Sequence, residues 1–127
     1  MKKLLLLLVL SAQASAYETF TELAWHEPPN FGTGPTHQVA GFNVYCKQIG
    51  VDTEFIAKLA GITAMGISLD ALSLTQGRWE CLMKQYNPLG IEENYHSDII
   101  SFNVVTSGGV NYYSLPPPPF QSLWLKQ

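Results

Sequence analysis

Val39-Ala40-Gly41-Phe42-Asn43-Val44-Tyr45-Cys46-Lys47 alternates apolar and polar residues over most of its length. Successive side chains of a strand point to opposite faces, so Phe42, Val44 and Cys46 share one face and Asn43, Tyr45 and Lys47 the other. A second stretch, Arg78-Trp79-Glu80-Cys81-Leu82-Met83-Lys84, repeats the pattern. It sends Trp79, Cys81 and Met83 inward, against Arg78, Glu80, Leu82 and Lys84. Outward from these two, 20–25 reads as a strand ended by Pro28-Pro29-Asn30, 55–59 as a short strand, and 67–74 as a strand with Ile67, Leu69 and Ala71 on one face. Residues 99–105 form the last clear strand. Turn residues fill 31–36, 50–53, 75–77 and 87–90. Only 56–65 competes as a helix, and Gly61 and Gly66 weaken it there. Short strands separated by turn signals predict an all-β antiparallel sandwich.

The composition agrees with one such domain. The chain has 127 residues, 46% apolar and 13% charged, with ten glycines and eight prolines. That is too apolar for a disordered polyampholyte and too poor in charge for a coiled coil.

The N-terminus reads differently. Lys2 and Lys3 precede an unbroken apolar run from Leu4 to Leu10, and Ala14-Ser15-Ala16 supplies an A-x-A cleavage signature. This order is that of a secretory signal peptide, and the run is too short for a bilayer span, which takes about 20 apolar residues. Residues 1–16 are therefore expected to lie outside the fold, with cleavage after Ala16 and a product in the periplasm or outside the cell. Cleavage removes Lys2 and Lys3 from the seven basic residues and leaves all ten acidic ones. An acidic chain without a Lys/Arg cluster argues against nucleic acid as a partner, and no later segment is long enough for a membrane span. The sandwich is expected over 17–106. Residues 107–127 are read as a Pro-rich flexible tail, because Gly108-Gly109 breaks the last strand and Pro116 to Pro119 favours an extended chain. The alternative is that 110–115 or 120–125 packs on the sandwich and covers an edge.

The order of segments resembles a fibronectin type III domain of the kind found in secreted bacterial and phage proteins. Leu23-Ala24-Trp25-His26-Glu27-Pro28-Pro29 resembles strand B, and Gly41-Phe42-Asn43-Val44-Tyr45 resembles strand C. Leu72-Ser73-Leu74-Thr75-Gln76-Gly77-Arg78-Trp79 is similar to the corner leading into strand F. Tyr86-Asn87-Pro88-Leu89-Gly90 is similar to the F–G turn, and Ser97-Asp98-Ile99-Ile100-Ser101-Phe102 to the final strand. The resemblance implies an immunoglobulin-like sandwich with sheets B–E and C′–C–F–G. Three departures stand out. Strand A is short or missing, because only residues 17–22 precede strand B after cleavage, which leaves an edge uncovered. Trp79 replaces a tyrosine and carries its donor in a different place, so the corner hydrogen bond is not assured. Gln85 stands where a small apolar residue is usual and is expected near the rim.

Within the resembled fold strands C and F are neighbours, which would place the inward-facing Cys46 and Cys81 side by side. An exported protein favours a disulfide there, and two buried thiols are the alternative. Trp25, Phe42, Val44, Leu69, Trp79 and Met83 are the expected core. His26, His37 and His96 lie on separate segments without metal-ligand spacing, so no metal or other cofactor is expected. Glu92-Glu93 with Asp98, or Asp52 with Glu54, offer loop oxygens to calcium, but no twelve-residue calcium loop is present and a solvated acidic loop is favoured. No nucleophile–base motif occurs. The reading is an exported, non-catalytic binding or assembly module that contacts protein through loops or a sheet edge. Its rival is a carbohydrate-binding accessory protein using exposed tyrosines. Tyr45, Tyr86, Tyr112, Tyr113 and Trp124 are the candidate contact residues for a protein or glycan partner.

Overall fold

A computed structural model describes residues 6–10, 19–32 and 38–115. Eight antiparallel strands follow in chain order: β1 Leu6–Leu10, β2 Phe20–Trp25, β3 Gly41–Gln48, β4 Ile56–Ile62, β5 Gly66–Ser68, β6 Gly77–Tyr86, β7 Ile100–Ser107 and β8 Val110–Ser114. β2 carries β1 on one edge and β5 on the other. The remaining strands run β8–β7–β6–β3–β4, joined to β2 by the single pair Phe20↔Tyr113. The result is an all-β, sandwich-like arrangement.

The two alternating stretches build its centre. β3 and β6 pair over eight residues without a shift, from Gly41↔Tyr86 to Gln48↔Trp79. This register puts Cys46 opposite Cys81, where the two form a disulfide with a Cα–Cα distance of 4.1 Å. Their inward neighbours Phe42, Val44 and Met83 are buried with them, and Trp25, Leu69 and Trp79 join the same cluster. The indole of Trp25 meets Phe42 edge-on at 5.3 Å, and Phe31 stacks on Phe42 at 5.7 Å. Gly41 is required by close approach, since a Cβ there would collide with the ring of Tyr86.

The described strands differ from the expected ones in four places. First, in the full-length chain Leu6–Leu10, part of the run read as leader, pairs with β2 from Leu6↔Trp25 to Leu10↔Phe20. Leu6 is buried and Leu8 packs on the core, because an apolar segment lying along an unpaired edge gains both ladder bonds and burial. Second, the sandwich does not end at residue 106. Gly108 and Gly109, at φ 61° and 78°, form a two-residue turn rather than a break, and β8 returns along β7 from Ser107↔Val110. Third, 67–74 is mostly not strand. β5 stops at Ser68, whose hydroxyl accepts from the Asp70 N–H, and Leu69–Leu72 forms a single 3-10 turn that buries Leu69 and Leu72. Fourth, Leu82 is buried although it faces away from the disulfide.

The corner bond is present. The Trp79 indole N–H donates to the Thr75 carbonyl at 2.8 Å, which ties the start of β6 to the turn before it.

Candidate functional site

Two loops meet at the end of the sandwich where β2 leaves off and β3 begins. The first starts at Pro28-Pro29, which cannot continue a ladder. Its ends are pinned: the Phe31 N–H donates to the Pro28 carbonyl, the Gln38 and Val39 N–H groups share the Asn30 carbonyl, and Gly32 N–H donates to Val39 at 2.7 Å. The side chains of Asn30 and Gln38 are hydrogen-bonded at 3.2 Å.

The second loop, 87–99, is built on Asn87. Its Oδ1 accepts from the N–H groups of Leu89 and Ile91, while Gly90 N–H returns to the Asn87 carbonyl and Gly90 takes φ 82°. This locally closed turn holds Leu89 outward at 83% exposure, with Ile91 beside it at 60%. Beyond it the chain runs along β6: Glu93 N–H donates to Gln85 and Ser97 N–H to Met83, both at 2.8 Å. Ser97 is buried; its hydroxyl accepts from the Met83 N–H and donates to the Asp98 carbonyl.

Between the loops lies a half-open cleft of about 260 Å³, lined by Pro28, Pro29, Asn30, Gln38, Gln85 and Tyr95 among others. Gln85, expected near the rim, is therefore a wall of this cleft. Glu93 also lines it and accepts from Tyr95; that bond, with burial, raises the Tyr95 pKa above its usual 10.0. The adjacent carboxylate, Glu92, turns to the outer face of β3. It accepts from the Tyr45 hydroxyl at 2.5 Å and from Asn43 Nδ2 at 2.7 Å, with the Lys84 ammonium 3.9 Å away. Burial and this bond push Tyr45 up to about 12, so the phenol stays protonated throughout the ordinary pH range. Two neighbouring carboxylates thus each hold a tyrosine. The arrangement offers fixed donors and acceptors beside an apolar tip, which suits recognition of a polar and apolar surface.

The candidate contact residues scatter. Tyr45 is half-buried, its hydroxyl engaged and its ring under Lys84 Nζ at 5.3 Å. Tyr86 is half-buried against Gly41, and Tyr112 is exposed on β8, at a distance in the fold from both loops. Tyr113 is not a contact residue: it is buried, meets Phe102 edge-on and donates to Asp70 at 2.6 Å. Trp124 and His37 lie outside the described residues. His26 is exposed, and His96 lies within hydrogen-bonding distance of the Ser97 carbonyl through Nδ1. Asp52 closes the turn after β3 by accepting from the Gln48 N–H. Among the described residues no three His, Cys, Asp or Glu side chains converge where a metal ion would sit.

Sequence reasoning missed Leu89, Ile91, Tyr95 and Ser97. The signal for the first two was available: Asn-Pro-Leu-Gly is a turn sequence, and an apolar residue at a turn's centre has no core to reach. Comparison of the chain with protein-family models, curated proteins and solved structures finds no match.

Proposed function

We propose that the chain is an exported, non-catalytic binding or assembly module with a fibronectin type III-like sandwich, engaging a protein partner through the loop residues 27–32, 38–40 and 87–99. The observation that carries this reading is the Asn87 turn, which holds Leu89 at 83% exposure and Ile91 at 60% in a fixed backbone, on the loop whose later residues Glu93 and Tyr95 line the cleft. Large apolar side chains presented by an ordered loop gain by being covered, and little entropy remains to be lost on binding.

The pairings β2–β5 and β4–β3–β6–β7 support the family likeness, since they follow strands B–E and C′–C–F–G in order. The Trp79–Thr75 bond supports it too, by doing what the family's corner tyrosine does. The leader signature supports export, and the Cys46–Cys81 disulfide fits an oxidising compartment. No helix among the described residues is long and apolar enough to cross a membrane. Among the described residues the glycan-binding alternative has only Tyr112 as an open aromatic face on a strand, with Tyr45 capped and Tyr113 buried.

Site-specific photocross-linking in the producing cell tests the reading. A photoreactive side chain at position 89 should give a discrete adduct that the same group at position 54, at the far end of β3, does not, and Ile91→Asp should abolish it. A protein that stays monomeric and yields no adduct at position 89 refutes the proposal.

A further inference from the structure

The cleft between the two loops has the size of one side chain and walls that are fixed in advance. Its volume, about 260 Å³, falls below the range of small-molecule sites, which begins near about 300 Å³. Pro28 and Pro29 line it with rings that restrict their own backbone, and Asn30 and Gln38 hold each other at 3.2 Å. Glu93 and Tyr95 line it from the second loop, which is tied to β6 where the Glu93 N–H donates to the Gln85 carbonyl. A site built this way loses little freedom when it is filled.

Its charge is one-sided. Glu93 is the acidic lining residue, and no lysine or arginine is among the described residues of the wall. The loop residues 27–32, 38–40 and 87–99 carry Glu27, Glu92, Glu93 and Asp98 and no Lys or Arg, and the nearby Lys84 is drawn off to Glu92 on the outer face of β3. The Tyr95 hydroxyl donates to Glu93, which orients the carboxylate and uses one of its roughly four acceptor positions.

We propose that the cleft takes one arginine side chain of the protein partner, its guanidinium on Glu93 and its apolar stem against Pro28, Pro29 and Tyr95; the inference rests on the protein-partner reading above and names the chemistry of that partner. Arginine fits better than lysine for three reasons. Its planar fork serves a carboxylate and a neighbouring amide together, it is weakly hydrated, and it stacks on an aromatic ring. The acidic loops would also steer a basic surface toward this end.

The test titrates Nα-acetyl-arginine amide into the purified protein and follows the side-chain amide resonances of Gln85 and Gln38 and the ring of Tyr95. A saturable shift with a Kd of roughly 1 mM is expected, as suits a ligand of this size. Nα-acetyl-citrulline amide has the same shape without the charge. It should bind at least about fivefold more weakly, as should the arginine probe to Glu93→Gln, which is the upper range for a partly exposed ion pair. Late titration of Tyr45, held by Glu92, is the check that Glu93→Gln is folded. An arginine probe that gives no saturable shift, or binds no better than citrulline, overturns the proposal. Equal affinity for Nα-acetyl-lysine amide assigns the cleft to any cation and overturns the guanidinium. A cross-link from position 89 that forms equally well in Glu93→Arg overturns the partner's arginine. Arginine binding without any adduct at position 89 sinks the protein-partner reading and leaves the chemistry of the cleft standing.

Discussion

The indole N–H of Trp79 donates to the Thr75 carbonyl four residues upstream, at 2.8 Å. The ring lies buried while its nitrogen reaches back to an exposed turn, and Lys58 Nζ sits 5.2 Å from its centroid. Trp79→Phe keeps an aromatic in the core but removes the donor and part of the volume. A net hydrogen bond contributes about 1 kcal/mol and the lost ring area adds to it, so a destabilisation of roughly 1–3 kcal/mol is expected in urea unfolding. A change below about 0.5 kcal/mol would mean that the bond contributes nothing to holding the corner.

Cys46 and Cys81 are 35 residues apart in sequence, and their bond joins the two central strands. Closing a loop of that length restricts the unfolded chain by about 3–4 kcal/mol in the chain-entropy model. Cys46→Ala/Cys81→Ala should lower stability by up to that amount in urea unfolding. Intact mass should rise by about 2 Da, two hydrogens, on reduction of the denatured wild-type chain. An unchanged mass would show that the thiols are free.

Tyr45 and Tyr113 both ionise late, at about 12 against an ordinary 10.0. Burial leads in each case, followed by the bond to Glu92 or to Asp70, and Asn111 partly offsets the effect at Tyr113. A folded-state value above the unfolded one means that folding favours the protonated phenol. The resulting stability is fully present below pH 10 and is lost as pH rises to about 12. Tyrosinate absorbance should show two of the six tyrosines titrating in that upper range, one disappearing in Tyr45→Phe and the other in Tyr113→Phe. Titration of all six near pH 10 would contradict the two buried contacts.

The parts legible in the sequence are those where one period dominates. β3 and β6 alternate cleanly, so their inward residues could be read in advance; that Cys46 lies beside Cys81 was implied only by the resemblance, and the β3–β6 register places them opposite one another. Residues 67–74 carry two periods at once: Ile67 and Leu69 suggest a strand, whereas Leu69 and Leu72 are spaced for a 3-10 turn. The Ser68–Asp70 cap decides between them locally. The Glu92 contacts were not legible, because Glu92 reaches Tyr45 and Asn43 from 47 and 49 residues away. Only the β3–β6 register and the run of 92–97 along β6 bring them together. Gly108-Gly109 was ambiguous for another reason. The same pair can end a strand or reverse it, and the pairing of residues 110–114 with β7 decides for reversal.

The reversal makes the β7–β8 turn a sharp test of the fold. Ser107 and Val110 pair across Gly108 and Gly109, both left-handed, at φ 61° and 78°. A β-branched residue in that conformation costs roughly 1–2 kcal/mol, whereas asparagine is well tolerated at the first position of such a turn. Gly109→Val should therefore destabilise by about that amount, and Gly108→Asn should be nearly neutral. The turn also delivers Tyr113 to Asp70 and Asn111 to the Leu74 carbonyl, so its loss should be felt at a distance. In Gly109→Val the late titration of Tyr113 should move back toward the ordinary tyrosine range, while that of Tyr45, held from β3 by Glu92, stays at about 12. If both tyrosines shift together, the substitution has loosened the whole sandwich. If neither shifts and stability is unchanged, β8 is not held by this turn.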